Sequence, residues 1–201
     1  LTEADLTGAN LTRAYLTEAD LTGADLTGAD LTGAYLTEAD LTEADLTGAN
    51  LTGANLDNVR HLNTANMAGA YLQGAHLQGA HLQGAHLKGV MLAGANLQRA
   101  NLEGAILTKV NLAGTNLLEA NLTDAILEEI EGQPIMCNTI LVDGSKSDCD
   151  LVGINLMGFD LRGLDLSGAD LTDANLKGAK LRGAILCNTT MPDGRVVYSG
   201  C

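Results

Sequence analysis

The chain has 201 residues, 46% hydrophobic and 18% charged, which is the length of a single domain. Its net charge of −14 and the lack of any basic stripe argue against direct nucleic-acid binding through phosphates. No apolar run reaches the roughly 18 residues of a membrane span. Aromatic residues are only 2%, so any core must be built from leucine and alanine.

From Leu1 onward a leucine falls at every fifth position. It fills 33 of 34 such positions, with Met67 the exception. Five matches neither regular element. On a helix each step advances about 140° past a full turn, so the leucines would spread around the axis. On a strand an odd step alternates the faces. For all leucines to reach one core, each pentapeptide must turn the chain by a fixed angle, which makes a solenoid. Residues 1–20 read LTEADLTGANLTRAYLTEAD and residues 21–40 read LTGADLTGADLTGAYLTEAD. This 20-residue superperiod means four pentapeptides per coil, with coils stacked about 4.8 Å apart.

The unit Ala-(Asp/Asn)-Leu-Thr-Gly, as in Ala24-Asp25-Leu26-Thr27-Gly28, resembles that of the pentapeptide-repeat family. The resemblance implies an all-β fold, a right-handed quadrilateral parallel β-helix. It also implies that the central Leu and the small residue two before it point inward. Alanine holds that second position in all eleven full units of residues 4–56.

In chain order, the first run spans Leu1 to Leu56. One extra residue follows within 57–61, read as a bulge that bends a corner. The second run spans Leu62 to Leu127. The leucine register is lost over 128–150, read as a looped-out excursion with Gly132, Pro134 and Asp143-Gly144 as turn formers. A third run spans Leu151 to Leu186. Its first inward residues are large, Ile154, Phe159 and Leu164, as if filling a wider interior. Residues 187–201 are read as a capping tail. Cys137-Asn138-Thr139, Asp143-Gly144 and Cys149 echo Cys187-Asn188-Thr189, Asp193-Gly194 and Cys201, and both copies read as hairpins turning at Asp-Gly. The expectation is one continuous solenoid over 1–201 of about 8.5 coils, roughly 40 Å long. The chain begins inside a repeat with no evident cap, so preceding residues are expected.

The four cysteines suggest Cys137 with Cys149 and Cys187 with Cys201, among three possible connectivities. If bridged, they place the chain in an oxidising compartment such as a periplasm or thylakoid lumen. If all four are reduced, the cytoplasm is expected and Cys149 is a small inward residue.

Charge is uneven. Residues 1–60 are net −9 and 128–150 net −5, while 61–127 and 151–201 balance. Asp5, Asp25 and Asp45 share one column and Asp20 and Asp40 another. The plain reading is solvated surface. The functional readings are an acidic face for a protein partner, a phosphate mimic, or a calcium site, which lacks the cage of six to eight oxygens that ion needs. His61, His76, His81 and His86 resemble a metal cluster in the text, but the last three fall on successive sides. Only His61 and His81 could stack, and two ligands with no nearby carboxylate make a poor site. No metal or cofactor is therefore expected. The threonines following each leucine from Thr2 to Thr52 suggest ice binding, but they run round all four sides, and local hydrogen bonding at corners accounts for them. Gly alternates with Glu3, Arg13, Glu18 and Glu43 at the next position, so that corner is not expected to require a left-handed backbone.

No nucleophile–base pair or catalytic carboxylate pair is visible. The sequence points to a non-enzymatic structural or interaction rod for an unidentified protein partner, its oligomeric state open. It is similar to cyanobacterial members of the family. The alternative is an acidic DNA mimic that binds DNA gyrase, as the resemblance to quinolone-resistance members would imply. Those carry Phe at many central positions, whereas Phe159 is the only one here and is not central.

Overall fold

The computed structural model describes residues 1–201. Most pentapeptides close one four-residue turn. The Leu1 carbonyl accepts the Ala4 N–H at 3.1 Å, and the Leu26 carbonyl accepts that of Ala29 at 3.0 Å. The third residue of the regular turns is left-handed, with φ +63° at Gly28 but also +54° at Glu3, +56° at Arg13 and +55° at Glu43. This corrects the expectation for that corner. A turn with an extended second and a left-handed third residue demands positive φ there. Glu and Arg adopt it against roughly 1–2 kcal/mol of Cβ–carbonyl crowding each.

Between turns, one residue of most pentapeptides forms a parallel rung with the coils above and below. The Asp25 N–H donates to the Ala4 carbonyl at 2.9 Å, and the Leu6 N–H donates to the Asp25 carbonyl at 2.8 Å. Each wall is thus one residue wide. Four such walls form a right-handed quadrilateral parallel β-helix. Longer strands occur only as β1 (Ile106–Thr108) with β2 (Ile126–Glu128), which are parallel, and β3 (Leu186–Thr190) with β4 (Val196–Ser199), which are antiparallel. No helix is long and apolar enough to cross a membrane.

The chain divides into two compact units, residues 1–135 with 140–145, and residues 136–139 with 146–201. In the first, the central leucines from Leu21 to Leu122 and the inward alanines from Ala24 to Ala120 are buried. Each buried leucine contributes about 1.5–3 kcal/mol relative to exposure.

Two register changes mark this unit. Asp40 pairs with Arg60 but Asp45 pairs with Asn66, so the extra residue lies between Arg60 and Asn66. Asn111 pairs with Glu131 but Asn116 with Ile135 and Asn121 with Ile140, so one residue is missing between Glu131 and Ile135. Residues 131, 135 and 140, within the stretch expected to loop out, therefore still form rungs. Gly132 and Met136 stand where leucines would, which hides the continuation. A Cβ on Gly132 would fall 2.5 Å from the Ala113 Cα, so no side chain fits there.

In the second unit Asp150, Asn155, Asp160, Asp165 and Asp170 pair with Asp170, Asn175, Lys180, Ile185 and Thr190. Of its large inward residues, Leu164 is buried, while Ile154 and Phe159 are half-buried. The pattern extends one pentapeptide past Leu186, because Thr189 is buried at the inward position and Thr190 makes a rung. β4 then folds back on β3 through the turn at Asp193-Gly194, where the Met191 carbonyl accepts the Gly194 N–H at 2.8 Å. The internal copy turns likewise at Asp143-Gly144, where the Leu141 carbonyl accepts the Gly144 N–H at 2.9 Å.

Candidate functional site

The Asp/Asn of each unit precedes the central leucine, and its side chain closes the corner. Asp25 Oδ1 accepts the Thr27 N–H at 3.0 Å, and Asn10 Oδ1 accepts the Thr12 N–H at 3.1 Å. This is an Asx-turn, which needs a side-chain oxygen at that place and no charge. The threonine hydroxyl joins it in several units. Thr42 Oγ1 donates to Asp40 Oδ1 at 2.6 Å, and Thr52 Oγ1 donates to Asn50 Oδ1 at 2.7 Å. The alternation of Asp with Asn, and the threonine after each leucine, both follow from this one corner. The carboxylates were expected as plain surface; the signal for the turn was the frequent exchange of Asp with Asn at this position.

The acidic columns are real. Asp5 pairs with Asp25 and Asp25 with Asp45, while Asp20 pairs with Asp40. The Thr7, Thr22 and Thr27 hydroxyls, then their N–H groups, hold Asp5, Asp20 and Asp25 below the usual carboxylate range. Asp40 is lowered furthest, to about 2, chiefly by the Thr42 hydroxyl and then by His61.

His76, His81 and His86 pair with Asn96, Asn101 and Ile106, on three successive walls. His61 does not stack on His81. Arg60 takes the rung beneath Asp40, and His61 sits at a left-handed corner with φ +57°. From there His61 Nδ1 reaches Asp40 Oδ1 at 3.1 Å, and the Arg60 guanidinium lies 3.7 Å from Asp40 Oδ2. The expectation that these histidines lack a nearby carboxylate is thus corrected. Below this corner the ladder breaks on two adjacent walls. No rung joins Arg60 to His81 or Asn66 to His86, and the Leu62, Met67, His81 and His86 N–H groups find no acceptor. A cleft of about 400 Å³ opens there, lined by Arg60, His61, Asn63, His81 and Gln83 among others.

The second unit brings both cysteine pairs together, with the sulfurs of Cys137 and Cys149, and of Cys187 and Cys201, at disulfide distance. Cys137 is buried and Cys149 half-buried. Beside each pair lies a buried threonine, Thr139 and Thr189. Thr189 Oγ1 donates to the Leu166 carbonyl at 2.7 Å. A shallow cleft by Cys149 is lined by Lys146, Asp148, Asp150 and Asp170.

The pentapeptide-repeat family matches the chain in eight copies, over residues 1–33, 24–60, 65–104, 95–129 and 149–188. HetL, a pentapeptide repeat protein involved in heterocyst differentiation regulation in the cyanobacterium Nostoc, is 30% identical over 98% of this chain and 89% of its own, with a TM-score of 0.32. A pentapeptide repeat protein of the Arabidopsis thaliana thylakoid lumen is 28% identical over 58% of this chain and 71% of its own, with a TM-score of 0.20. Full-length QnrB1, a plasmid-mediated fluoroquinolone resistance protein, is 17% identical over 92% of each chain, with a TM-score of 0.43. No curated protein matches the chain. With its one-residue rungs, four walls and eight matched copies, this chain belongs to the pentapeptide-repeat family.

Proposed function

We propose that this chain is a non-enzymatic scaffold whose outer walls bind a protein partner, and that it works in an oxidising compartment. The observation that carries the reading is the division of labour within each pentapeptide. Two positions fill the interior with leucine and alanine, so chemistry can reside only on the walls. The acidity of the first coils supports one wall region as the docking face. Asn would close the same turns as Asp5, Asp20, Asp25, Asp40 and Asp45, so their charge is surplus to folding. The two cysteine pairs support the compartment, a periplasm or thylakoid lumen.

The test uses a variant in which those five aspartates become asparagine. Partners cross-linked to the native protein in its source cells are compared with those of the variant, both at equal abundance. A partner lost with the charge supports the acidic face; an unchanged partner set overturns it. Counting thiols on denatured, unreduced protein from the source tests the compartment, and four free thiols would refute it. The gyrase-binding alternative predicts inhibition of DNA supercoiling by purified gyrase. Full supercoiling at a large excess of this chain eliminates it.

A further inference from the structure

We propose that one wall of the second unit, built around Arg162, Lys177, Lys180 and Arg182, is a docking face, and that its occupant is the acidic wall of a second copy of this chain. Because it gives the acidic first coils a partner, this contact rests on the scaffold reading. Residues 151–201 balance in charge, but the balance hides a segregation. On this wall Asp160 pairs with Lys180 as a rung. The Gly158 N–H donates to the Lys177 carbonyl at 3.0 Å, which sets Lys177 on the corner before that rung. Arg162 and Arg182 each lie two residues past their rung residue, on the corner that follows. Residues 156–163 and 176–183 therefore hold four cations and one carboxylate. All four cationic residues are exposed. The one carboxylate, Asp160, is already held by Arg162 at 2.5 Å and Lys180 at 3.8 Å.

The choice of occupant follows from charge and spacing. The first unit has a wall of the opposite sign, built in the same three rows. Its rung is Asp20 with Asp40. Its preceding corner stacks Glu18 on Glu38, where the Glu18 N–H donates to the Thr37 carbonyl at 2.9 Å. Glu43 stands on the corner that follows. These three glutamates are exposed, and, like Lys177 and Arg182, they make no ion pair within the chain. The charged rows on both walls advance by the same one-coil spacing of about 4.8 Å. Cations and carboxylates that share a period stay in step over successive coils, which the surface of an ordinary globular partner does not do. Each wall is bordered by side chains suited to an interface, Met157 beside Lys177 and the stacked Tyr15 and Tyr35 beside Glu18 and Glu38. Each copy is net −14, but charges more than about 8 Å apart are screened at physiological ionic strength, so the local match decides. The two surfaces are unlike, so the contact is heterologous and association continues beyond a pair unless it closes into a ring.

The experiment is sedimentation equilibrium of the full chain over a range of concentrations, at about 0.15 M and about 1 M salt. A basic-wall variant carries Lys177→Gln, Lys180→Gln and Arg182→Gln. An acidic-wall variant carries Glu18→Gln, Glu38→Gln and Glu43→Gln. The parent should gain mass with concentration at the lower salt and stay monomeric at the higher. Each variant alone should associate about 10-fold or more weakly, because it keeps one wall and lacks the other. Mixed in equal amounts, the two should form a 1:1 complex, since the acidic wall of one then meets the basic wall of the other. A variant that associates like the parent, or a mixture that does no better than its components, would overturn the proposal. So would a parent that stays monomeric yet floats with phosphatidylglycerol vesicles, which would assign the wall to an anionic lipid surface. A monomeric parent whose five-aspartate variant still loses a cross-linked partner would overturn this contact and keep the scaffold reading.

Discussion

The Asp45 carboxylate and the Asn50 carboxamide close neighbouring corners in the same way, accepting the N–H of Thr47 and Thr52 at 2.9 and 3.1 Å. Carboxylate and amide are therefore interchangeable for folding at neutral pH, and they differ only in acid. Asp5, Asp20, Asp25, Asp30 and Asp40 have folded pKa values below their ordinary 3.8, the last about 2. A lowered carboxylate stabilises the fold above its unfolded pKa, and that contribution is lost as pH falls through the folded value. Changing all five to asparagine should leave Tm at pH 7 nearly unchanged and flatten its decline between about pH 4 and 2. Circular-dichroism melts across that range decide it, and parallel pH profiles for parent and variant would contradict the assignment.

The left-handed corner gives a second expectation. Glu43→Gly should stabilise by up to about 1 kcal/mol, because it removes Cβ crowding but adds freedom to the unfolded chain. Gly28→Ala should cost about 1 kcal/mol, since nothing lies within 4 Å of its added Cβ. Gly132→Ala should cost much more, because its Cβ would meet the Ala113 backbone at 2.5 Å. Urea unfolding of the three variants tests the ranking; an equal cost for the two glycine replacements would be inconsistent with the packing described.

Hydrogen exchange should expose the broken rungs directly. The Leu62, Met67, His81 and His86 amides lack acceptors, whereas those of Leu72, Leu82 and Leu87 donate across coils at 2.8, 2.8 and 2.9 Å. The first group should exchange faster than the second by orders of magnitude under native conditions. Equal protection would mean that the ladder is continuous there.

The tails should depend on both their sulfurs and their threonines. Loops of this size gain about 3 kcal/mol from a bridge, so Cys187→Ala with Cys201→Ala should lower stability by about that amount under oxidising conditions and change nothing in reductant.

Thr189→Val keeps the shape but removes the hydroxyl, leaving the Leu166 carbonyl with the Ala169 N–H alone, at a cost of about 0.5–1.5 kcal/mol. Thr189→Ser should recover most of that in the same denaturation assay. A Val variant as stable as the parent would remove the threonine from the account of the cap.

The four-sided fold was legible because one residue type recurs at a spacing that no other architecture can bury. Pairing past Leu127 was not, because Gly132 and Met136 replace leucines and one residue is missing between Glu131 and Ile135, which breaks both signals together. The Asx corners were written in the text as Asp/Asn exchange, but their meaning depends on an oxygen meeting an N–H two residues on. The Asp40–His61 contact was invisible to counting, because it joins a wall residue to a side chain on an inserted corner.

The residue gained between Arg60 and Asn66 acts as a frameshift in three dimensions. Before it, positions twenty apart share a wall; across it, Asn50 meets Tyr71 and Asn55 meets His76, twenty-one apart. Substitutions planned by counting twenties through that point would fall one residue short, on the buried Ala70 or Ala75 instead of Tyr71 or His76 on the wall.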